Sequence, residues 1–223
     1  LHKRLGLSQD CMVFDINLGC SGFVYGLNVV GAMIASGALK RVLLCCAEAS
    51  NAYTIDNKAL SDHAFSMMFG DAGSVTLLEA GEGRIQTLLK ADGEGYPAII
   101  TLGISPRIPF TDIKNVDIRT LGSYMDGAEV FEFTITKVPR AFKEFFKTYG
   151  GSLEDYDYCV LHQANDFIIK QICKKIKLPL EKCPISIDRF GNTSSASIPL
   201  SIVDLYDRKK EELPERINLI TSG

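Results

Sequence analysis

Cys20, His162 and Asn192 are the side chains of this sequence whose types, taken together, could carry out chemistry on an acyl group. A cysteine thiolate attacks an acyl carbon and splits one hard transfer into two easier ones. An imidazole and a carboxamide can both donate hydrogen bonds to an oxygen on which negative charge develops. Each of the three occupies what reads as a strand-to-helix turn, in Leu18-Gly19-Cys20, Leu161-His162-Gln163-Ala164-Asn165 and Phe190-Gly191-Asn192-Thr193. In open parallel sheets, sites form beyond the carboxyl ends of strands, so three such turns can converge on one pocket, although chain spacing cannot prove it. Each residue also has an ordinary structural use: Cys20 as a small core residue, His162 as a satisfied buried histidine, Asn192 as a turn or cap residue.

The setting of Cys20 is the most informative. An apolar extended run, Met12 to Leu18, meets Gly19-Cys20-Ser21-Gly22, and from Phe23 onward Val24, Leu27, Val29, Val30, Met33, Ile34 and Ala35 cover nearly all sides of a helix, which predicts a buried one. The first N–H groups of that helix face Cys20. A partly buried helix N-terminus favours an anion by up to about 2 kcal/mol, enough to bring a thiol from about 8.5 towards about 7. Desolvation by the same apolar residues opposes this, so a further group is needed to activate the sulfur.

Composition narrows the remaining classes. With 223 residues, 46% hydrophobic and 23% charged, the chain is long enough and apolar enough for a substantial folded core. A net charge of -3, with Lys and Arg scattered, argues against nucleic acid as a partner. The longest apolar stretch is broken by Ser21, Asn28, Ser36 and several glycines, so no membrane span or signal segment is expected. The seven cysteines show no CxxC spacing, and neither they nor His2, His63 and His162 form a zinc-type pattern. A reducing cytoplasm with no metal and no disulfide framework is the expected environment.

Along the chain, strand-like and helical runs alternate, which predicts an α/β fold. Strands are expected at Met12–Leu18, Arg41–Ala47, Ser66–Glu79 (broken at Phe69-Gly70-Asp71-Ala72-Gly73), Arg84–Lys90, Tyr156–Leu161, Cys183–Ile187 and Ile217–Ile220. The uniformly apolar Val42 to Ala47 reads as a strand buried on both faces. Helices are expected at Asp126–Tyr149, kinked or divided by Pro139, and at Asn165–Lys177 and Ser197–Arg208. The irregular, proline-containing stretch Ala91–Gly122 reads as a lid or substrate-lining excursion. A boundary between two α/β halves, 1–82 and 83–223, falls near Ala80 to Arg84.

Five separated strings resemble the 3-oxoacyl-acyl-carrier-protein synthase III (beta-ketoacyl synthase III) family of the thiolase-like superfamily. They are Cys20-Ser21-Gly22-Phe23, Phe69-Gly70-Asp71-Ala72-Gly73, Met125-Asp126-Gly127-Ala128-Glu129-Val130-Phe131, His162-Gln163-Ala164-Asn165 and Gly191-Asn192-Thr193-Ser194-Ser195-Ala196-Ser197-Ile198-Pro199. The resemblance implies a thiolase-like layered fold (αβαβα) of two similar halves, the first carrying the nucleophilic cysteine and the second the histidine and asparagine. It implies Cys20, His162 and Asn192 as the catalytic set. It implies decarboxylative Claisen condensation of an acyl thioester primer with malonyl-acyl carrier protein through an acyl-Cys20 intermediate. Asparagine in the third place distinguishes this priming type from degradative thiolases, with a second cysteine, and elongating synthases, with a second histidine. Type III polyketide synthases share the Cys-His-Asn set.

The same resemblance implies acyl carrier protein and acyl-coenzyme A as partners, no cofactor beyond those thioesters, a homodimer, and carrier or coenzyme A contacts at Gln163, Ala164, Asn165, Asp166 and Phe167. Some relatives have an arginine where this chain has Phe167, with Lys170 one turn later. The family carries strands before the point where this sequence begins and a Phe-Gly-x-Gly turn after Thr221-Ser222-Gly223, so a piece of a longer polypeptide is expected. Two other readings remain: acyl transfer from Cys20 to an amine or hydroxyl without decarboxylation, and a non-catalytic thiolase-like subunit.

Overall fold

Residues 1–49, 68–102, 122–210 and 212–223 are described by the structure, a computed structural model. A short 3-10 turn, Gly19–Ser21, runs into α1 (Gly22–Ala35), which is followed by β1 (Arg41–Glu48) and β2 (Ala72–Glu79). β1 and β2 are antiparallel, with Arg41 opposite Glu79 and Glu48 opposite Ala72. Inside the stretch expected to be irregular, β3 (Ile99–Leu102) pairs antiparallel with β4 (Gly122–Met125). The rest of that stretch, 103–121, lies outside the described residues, as do residues 66–67 of the expected Ser66–Glu79 run and His63.

α2 (Gly127–Tyr149) starts where the Asp126 carboxylate accepts from the N–H groups of Ala128 and Glu129, at 2.9 and 3.0 Å. Pro139 does not divide it: one helix runs through. The proline removes one backbone donor, but Val138, Phe142, Phe145 and Phe146 around and beyond it pack into the core and hold the helix together. β5 (Tyr158–Leu161) is followed by α3 (Asp166–Ile176), the one-turn α4 (Ile187–Phe190), a 3-10 turn at Ser194–Ala196, α5 (Ser197–Lys209) and β6 (Leu219–Ser222). β5 and β6 are parallel, with Leu161 opposite Ser222.

The β5 strand separates two cores. Cys159 and Leu161 face Phe142, Ile169, Ile172, Cys173, Leu178, Cys183 and Ile220. Val160, pointing the other way as strand geometry requires, packs with Phe23, Cys46, Ala196 and Ile198. Helices α2 and α3 therefore lie on one side of the β5–β6 pair, while α1, β1 and the Ser194 turn lie on the other. This is the layered α/β arrangement expected from the alternating sequence pattern.

Several expectations fail for identifiable reasons. Met12–Leu18 pairs with no strand among the described residues, and Met12, Val13, Phe14 and Leu18 are exposed. Arg84–Lys90 is not a strand, and two of its carbonyls meet side chains: Lys90 O accepts from the Tyr25 hydroxyl (3.2 Å) and Thr87 O from the Tyr149 hydroxyl (2.7 Å). Cys183–Ile187 is buried but also not a strand, since the Gln163 carboxamide takes the place of a neighbouring strand. Its Nε2 donates to Pro184 O (3.3 Å) and its Oε1 accepts from Ser186 N (2.9 Å). α1 is buried only along Phe23, Gly26 and Val30 rather than on all sides. β1 alternates, with Val42, Leu44 and Cys46 turned inward and Leu43 and Cys45 outward, because its sheet is covered on one face among the described residues.

Candidate active site

Cys20 lies in the turn that begins α1, and that turn packs against the 3-10 turn Ser194–Ala196. Gly22 permits the approach: a Cβ there would stand 3.1 Å from Cβ of Ser195. On its other side, the Cys20 carbonyl lies beside Gly223 at the end of β6. The preceding residue, Ser222, accepts the backbone N–H of His162 at 2.8 Å. The end of β6 and the Ser194 turn thus bring the Cys20 segment and the residue following β5 to one place. Of the three expected strand-end positions, that of His162 is observed, whereas Cys20 follows a run that pairs with no strand among the described residues and Asn192 follows α4.

The hydrogen-bonding partners of His162 determine which ring nitrogen carries the proton. Ser197 Oγ lies 2.6 Å from Nδ1 and also accepts the N–H of Gln163 at 3.3 Å. The hydroxyl has a proton to donate and a second lone pair to accept with, so it bonds Nδ1 in either tautomer, and where it donates the imidazole proton sits on Nε2. Burial pushes the His162 pKa down to about 4, so the ring is neutral at pH 7.

Asn192 is held by both its backbone and its side chain. Its N–H donates to Met68 O and its carbonyl accepts from Gly70 N, each at 2.9 Å, which ties it to the Phe69-Gly70-Asp71 string. Gly70 is required there, since a Cβ would overlap the carbonyl oxygen of Phe190. The buried side chain uses Oδ1 to accept from Ser194 N at 2.9 Å, leaving its NH2 group as the donor available to a ligand.

The electrostatics of Cys20 differ from the expectation of a helix-activated thiolate. Burial raises its pKa above the ordinary thiol value, and the Glu48 carboxylate at the end of β1 raises it further. The Ser194 side chain and the backbone N–H of Cys20 act in the opposite direction without prevailing. Burial is thus the largest influence on Cys20 and holds its thiol pKa above the ordinary value. Glu48 is itself bound by the Ser195 hydroxyl at 3.0 Å. Glu48, Ser194 and Ser197 were not distinguishable as site residues in the sequence; the last two were visible only as members of the Gly191–Pro199 string.

The segment after His162 divides into an inward and an outward part. Gln163 is buried, and besides the two bonds to the 183–187 loop it donates to Leu161 O at 2.8 Å, so it has no surface to offer a carrier. Asn165 caps α3 by accepting from Phe167 N at 2.8 Å. Phe167 is 58% exposed and stacks on Phe131 with ring centroids 5.6 Å apart, and Lys170 pairs with Asp166 at 2.6 Å. Ala164 and Asp166 are half-buried. Among the described residues no group of three His, Cys, Asp or Glu side chains could hold a metal ion, and no helix is long and apolar enough to cross a membrane.

Comparison with known proteins matches this chain to the following family and relatives. Residues 14–93 match the model of 3-oxoacyl-[acyl-carrier-protein (ACP)] synthase III, and residues 146–223 match that of the C-terminal part of the same enzyme. The beta-ketoacyl-[acyl-carrier-protein] synthase III of Rubrobacter xylanophilus is 36% identical over 196 residues, covering 86% of this chain and 57% of that protein. Among solved structures, a 3-oxoacyl-(acyl-carrier-protein) synthase III superposes with a TM-score of 0.84 at 32% identity, covering 99% of this chain and 67% of its own. The 3-oxoacyl-(acyl-carrier protein) synthase of Burkholderia xenovorans LB400 gives 0.77 at 31% identity, with 99% and 70% covered. The chain spans 57% and 64% of the length of two of the curated relatives it matches.

Proposed function

Because the chain belongs to the 3-oxoacyl-[acyl-carrier-protein] synthase III family and shares its thiolase-like fold, we propose that the protein it represents is an acyltransferase that condenses an acyl thioester primer with malonyl-acyl carrier protein. Cys20 is the nucleophile. Its sulfur bonds to the acyl carbon, the primer's own carbon–sulfur bond breaks, and the thiol proton leaves with the departing thiolate. The backbone N–H of Cys20 serves as an oxyanion donor, where one such contact is worth about 3 kcal/mol.

His162 Nε2–H and the Asn192 NH2 group then hold the thioester oxygen of the malonyl unit. As its carboxylate leaves as carbon dioxide, the electron pair of the broken carbon–carbon bond passes into an enolate held by the two donors. The enolate carbon attacks the acyl group on Cys20. A carbon–carbon bond forms, the bond to sulfur breaks, and a 3-oxoacyl thioester is released. The observation that supports this reading is that the other polar atom of each group is engaged, Nδ1 with the Ser197 hydroxyl and Oδ1 with the Ser194 N–H, so that with the His162 proton on Nε2 both groups present a donor. Such a pair suits an enolate and needs no metal in this reading.

In the same reading the chain consists of two thiolase-like halves, 1–82 and 83–223, works as a homodimer in the cytoplasm, and meets acyl carrier protein or acyl-coenzyme A near Asn165 to Phe167. The test is mass spectrometry of the full-length protein after exposure to acyl-coenzyme A. One acyl mass should appear on the peptide containing Cys20 and be absent in Cys20→Ala. His162→Ala and Asn192→Ala should keep acylation and lose carbon dioxide release from malonyl thioester. Normal turnover by Cys20→Ala would end the proposal.

A further inference from the structure

The buried side chain of Gln163 bridges the two segments that supply His162 and Asn192. Its carboxamide has both polar atoms engaged: Nε2 donates to Leu161 O at 2.8 Å and to Pro184 O at 3.3 Å, and Oε1 accepts from Ser186 N at 2.9 Å. Two carbonyls facing one end and an N–H facing the other admit a single orientation of the group, because turning it over would set oxygen against oxygen. On the β5 side these bonds bracket His162. Leu161 precedes it, the Gln163 N–H donates to Ser197 Oγ at 3.3 Å, and that same hydroxyl lies 2.6 Å from His162 Nδ1. On the other side Ser186 leads to Asn192. Its carbonyl accepts from Arg189 N and Phe190 N, each at 3.1 Å, which starts α4, and Asn192 comes two residues after that helix. The Ser186 hydroxyl lies 2.6 Å from Ser201 Oγ, and Ser201 donates to Ser197 O at 2.8 Å, so the circuit closes on the residue that bonds His162. Ser186, Ser197 and Ser201 are all buried, and a satisfied buried network of this kind rigidifies the segments it joins.

We propose that Gln163 is a positioning residue: its carboxamide spans from the end of β5 to the loop before α4 and fixes the His162 and Asn192 segments against each other, so that both enolate donors meet one oxygen. Glutamine fits the place because it carries two donor hydrogens and an acceptor on one plane. An apolar residue of similar size would fill the space and leave two carbonyls and an N–H unpaired. Asn192 keeps a second tie, through Met68 and Gly70, so loss of the bridge shifts it rather than frees it. The bonds of the Gln163 side chain reach no residue of the Cys20 turn, which separates its effect on the enolate donors from any on the nucleophile. This inference rests on the condensing reading only for what the spacing accomplishes; the hold of Gln163 on the two segments is independent of it.

The experiment uses Gln163→Leu and Gln163→Glu in the full-length protein, with Ile172→Val, a change in the core behind β5, as the control for lost stability. In Gln163→Leu the rate of carbon dioxide release from malonyl thioester, divided by the rate of Cys20 acylation, should fall about tenfold, with kcat reduced and KM little changed. Gln163→Glu should recover the ratio to within about threefold, because a buried carboxyl stays protonated, accepts from Ser186 N and keeps one donor for the carbonyls. Amide hydrogen exchange at Asn192 and Ser194 should speed up about tenfold in Gln163→Leu while that of α1 stays unchanged. A merely structural role would lower melting temperature and both partial reactions together, as Ile172→Val should, and leave their ratio alone. A ratio and exchange rates equal to the parent's in Gln163→Leu would overturn the proposal. If Gln163→Leu does not fold, Ser201→Ala decides: removing one hydroxyl of the circuit should lower the ratio about threefold, and a parental ratio there overturns the proposal. A parent protein that releases no carbon dioxide from malonyl thioester, combined with faster exchange at Asn192 and Ser194 in the variants, would instead end the condensing reading and leave the bridge standing.

Discussion

At the scale of single residues, the site is set by groups that orient others. Ser197 bonds Nδ1 of His162 and orients its ring, so Ser197→Ala should reduce malonyl decarboxylation by about tenfold, the cost of one hydrogen bond to a group that carries charge in the reaction, while acylation of Cys20 persists. Radiolabelled carbon dioxide release measures the first and intact mass the second. Glu48 raises the pKa of Cys20, so Glu48→Gln should speed alkylation of the thiol at pH 7 and move its pH profile down. His162 supplies a stability signature as well. Its folded pKa, about 4, lies below the ordinary 6.5, so between these values the unfolded chain binds a proton that the folded one does not. Stability should therefore fall as pH drops from about 6.5 to about 4, and His162→Gln should flatten that part of a melting-temperature profile. The three reactive residue types were legible because few other side chains perform this chemistry. The serines that orient them were not, since a serine in a small-residue string reads equally as turn or packing.

At the scale of elements, the Phe69-Gly70-Asp71 string and α4 place the backbone of Asn192. Gly70→Ala would force apart the Met68–Gly70 segment and the Phe190 carbonyl, at a cost of about 1–3 kcal/mol, the range for overpacking. Enolate chemistry should fall more than acylation of Cys20, which partial-reaction rates would reveal. α4 is tied to α5 through Asp204, buried to 6% exposure, which accepts from Arg189 and, at 2.5 Å, from Arg208. Both arginines reach solvent, so Asp204→Ala leaves no buried unpaired charge. The loss should be nearer that of ordinary hydrogen bonds, about 1–2 kcal/mol in a denaturant titration, than the 3–5 kcal/mol of a broken buried pair. Helices were readable at this scale because α2, α3 and α5 each repeat an apolar stripe and carry their own caps or ends. Strands were less readable. Arg84–Lys90 and Cys183–Ile187 have strand composition, yet several of their backbone groups bond side chains from elsewhere in the fold, the hydroxyls of Tyr25 and Tyr149 and the carboxamide of Gln163.

At the scale of the molecule, β5 couples the two cores, and Val160 is its fully buried contact with the core that contains Phe23 and Cys46. Val160→Ala should destabilise the fold by about 2–3 kcal/mol, read as a lower denaturant midpoint, and should loosen the seat of Cys20 because α1 packs through the same core. The alternation of apolar runs, the reactive residue types, the helix periods and the five strings that carry the family were all present in the linear chain, because each depends on neighbours a few positions away. Convergence of the Cys20, His162 and Asn192 segments depends instead on contacts between distant segments: Cys20 with Gly223, His162 with Ser222, Asn192 with Met68 and Gly70. So does the raised pKa of Cys20, since desolvation is the sum of everything packed around the sulfur, and no local pattern records that sum.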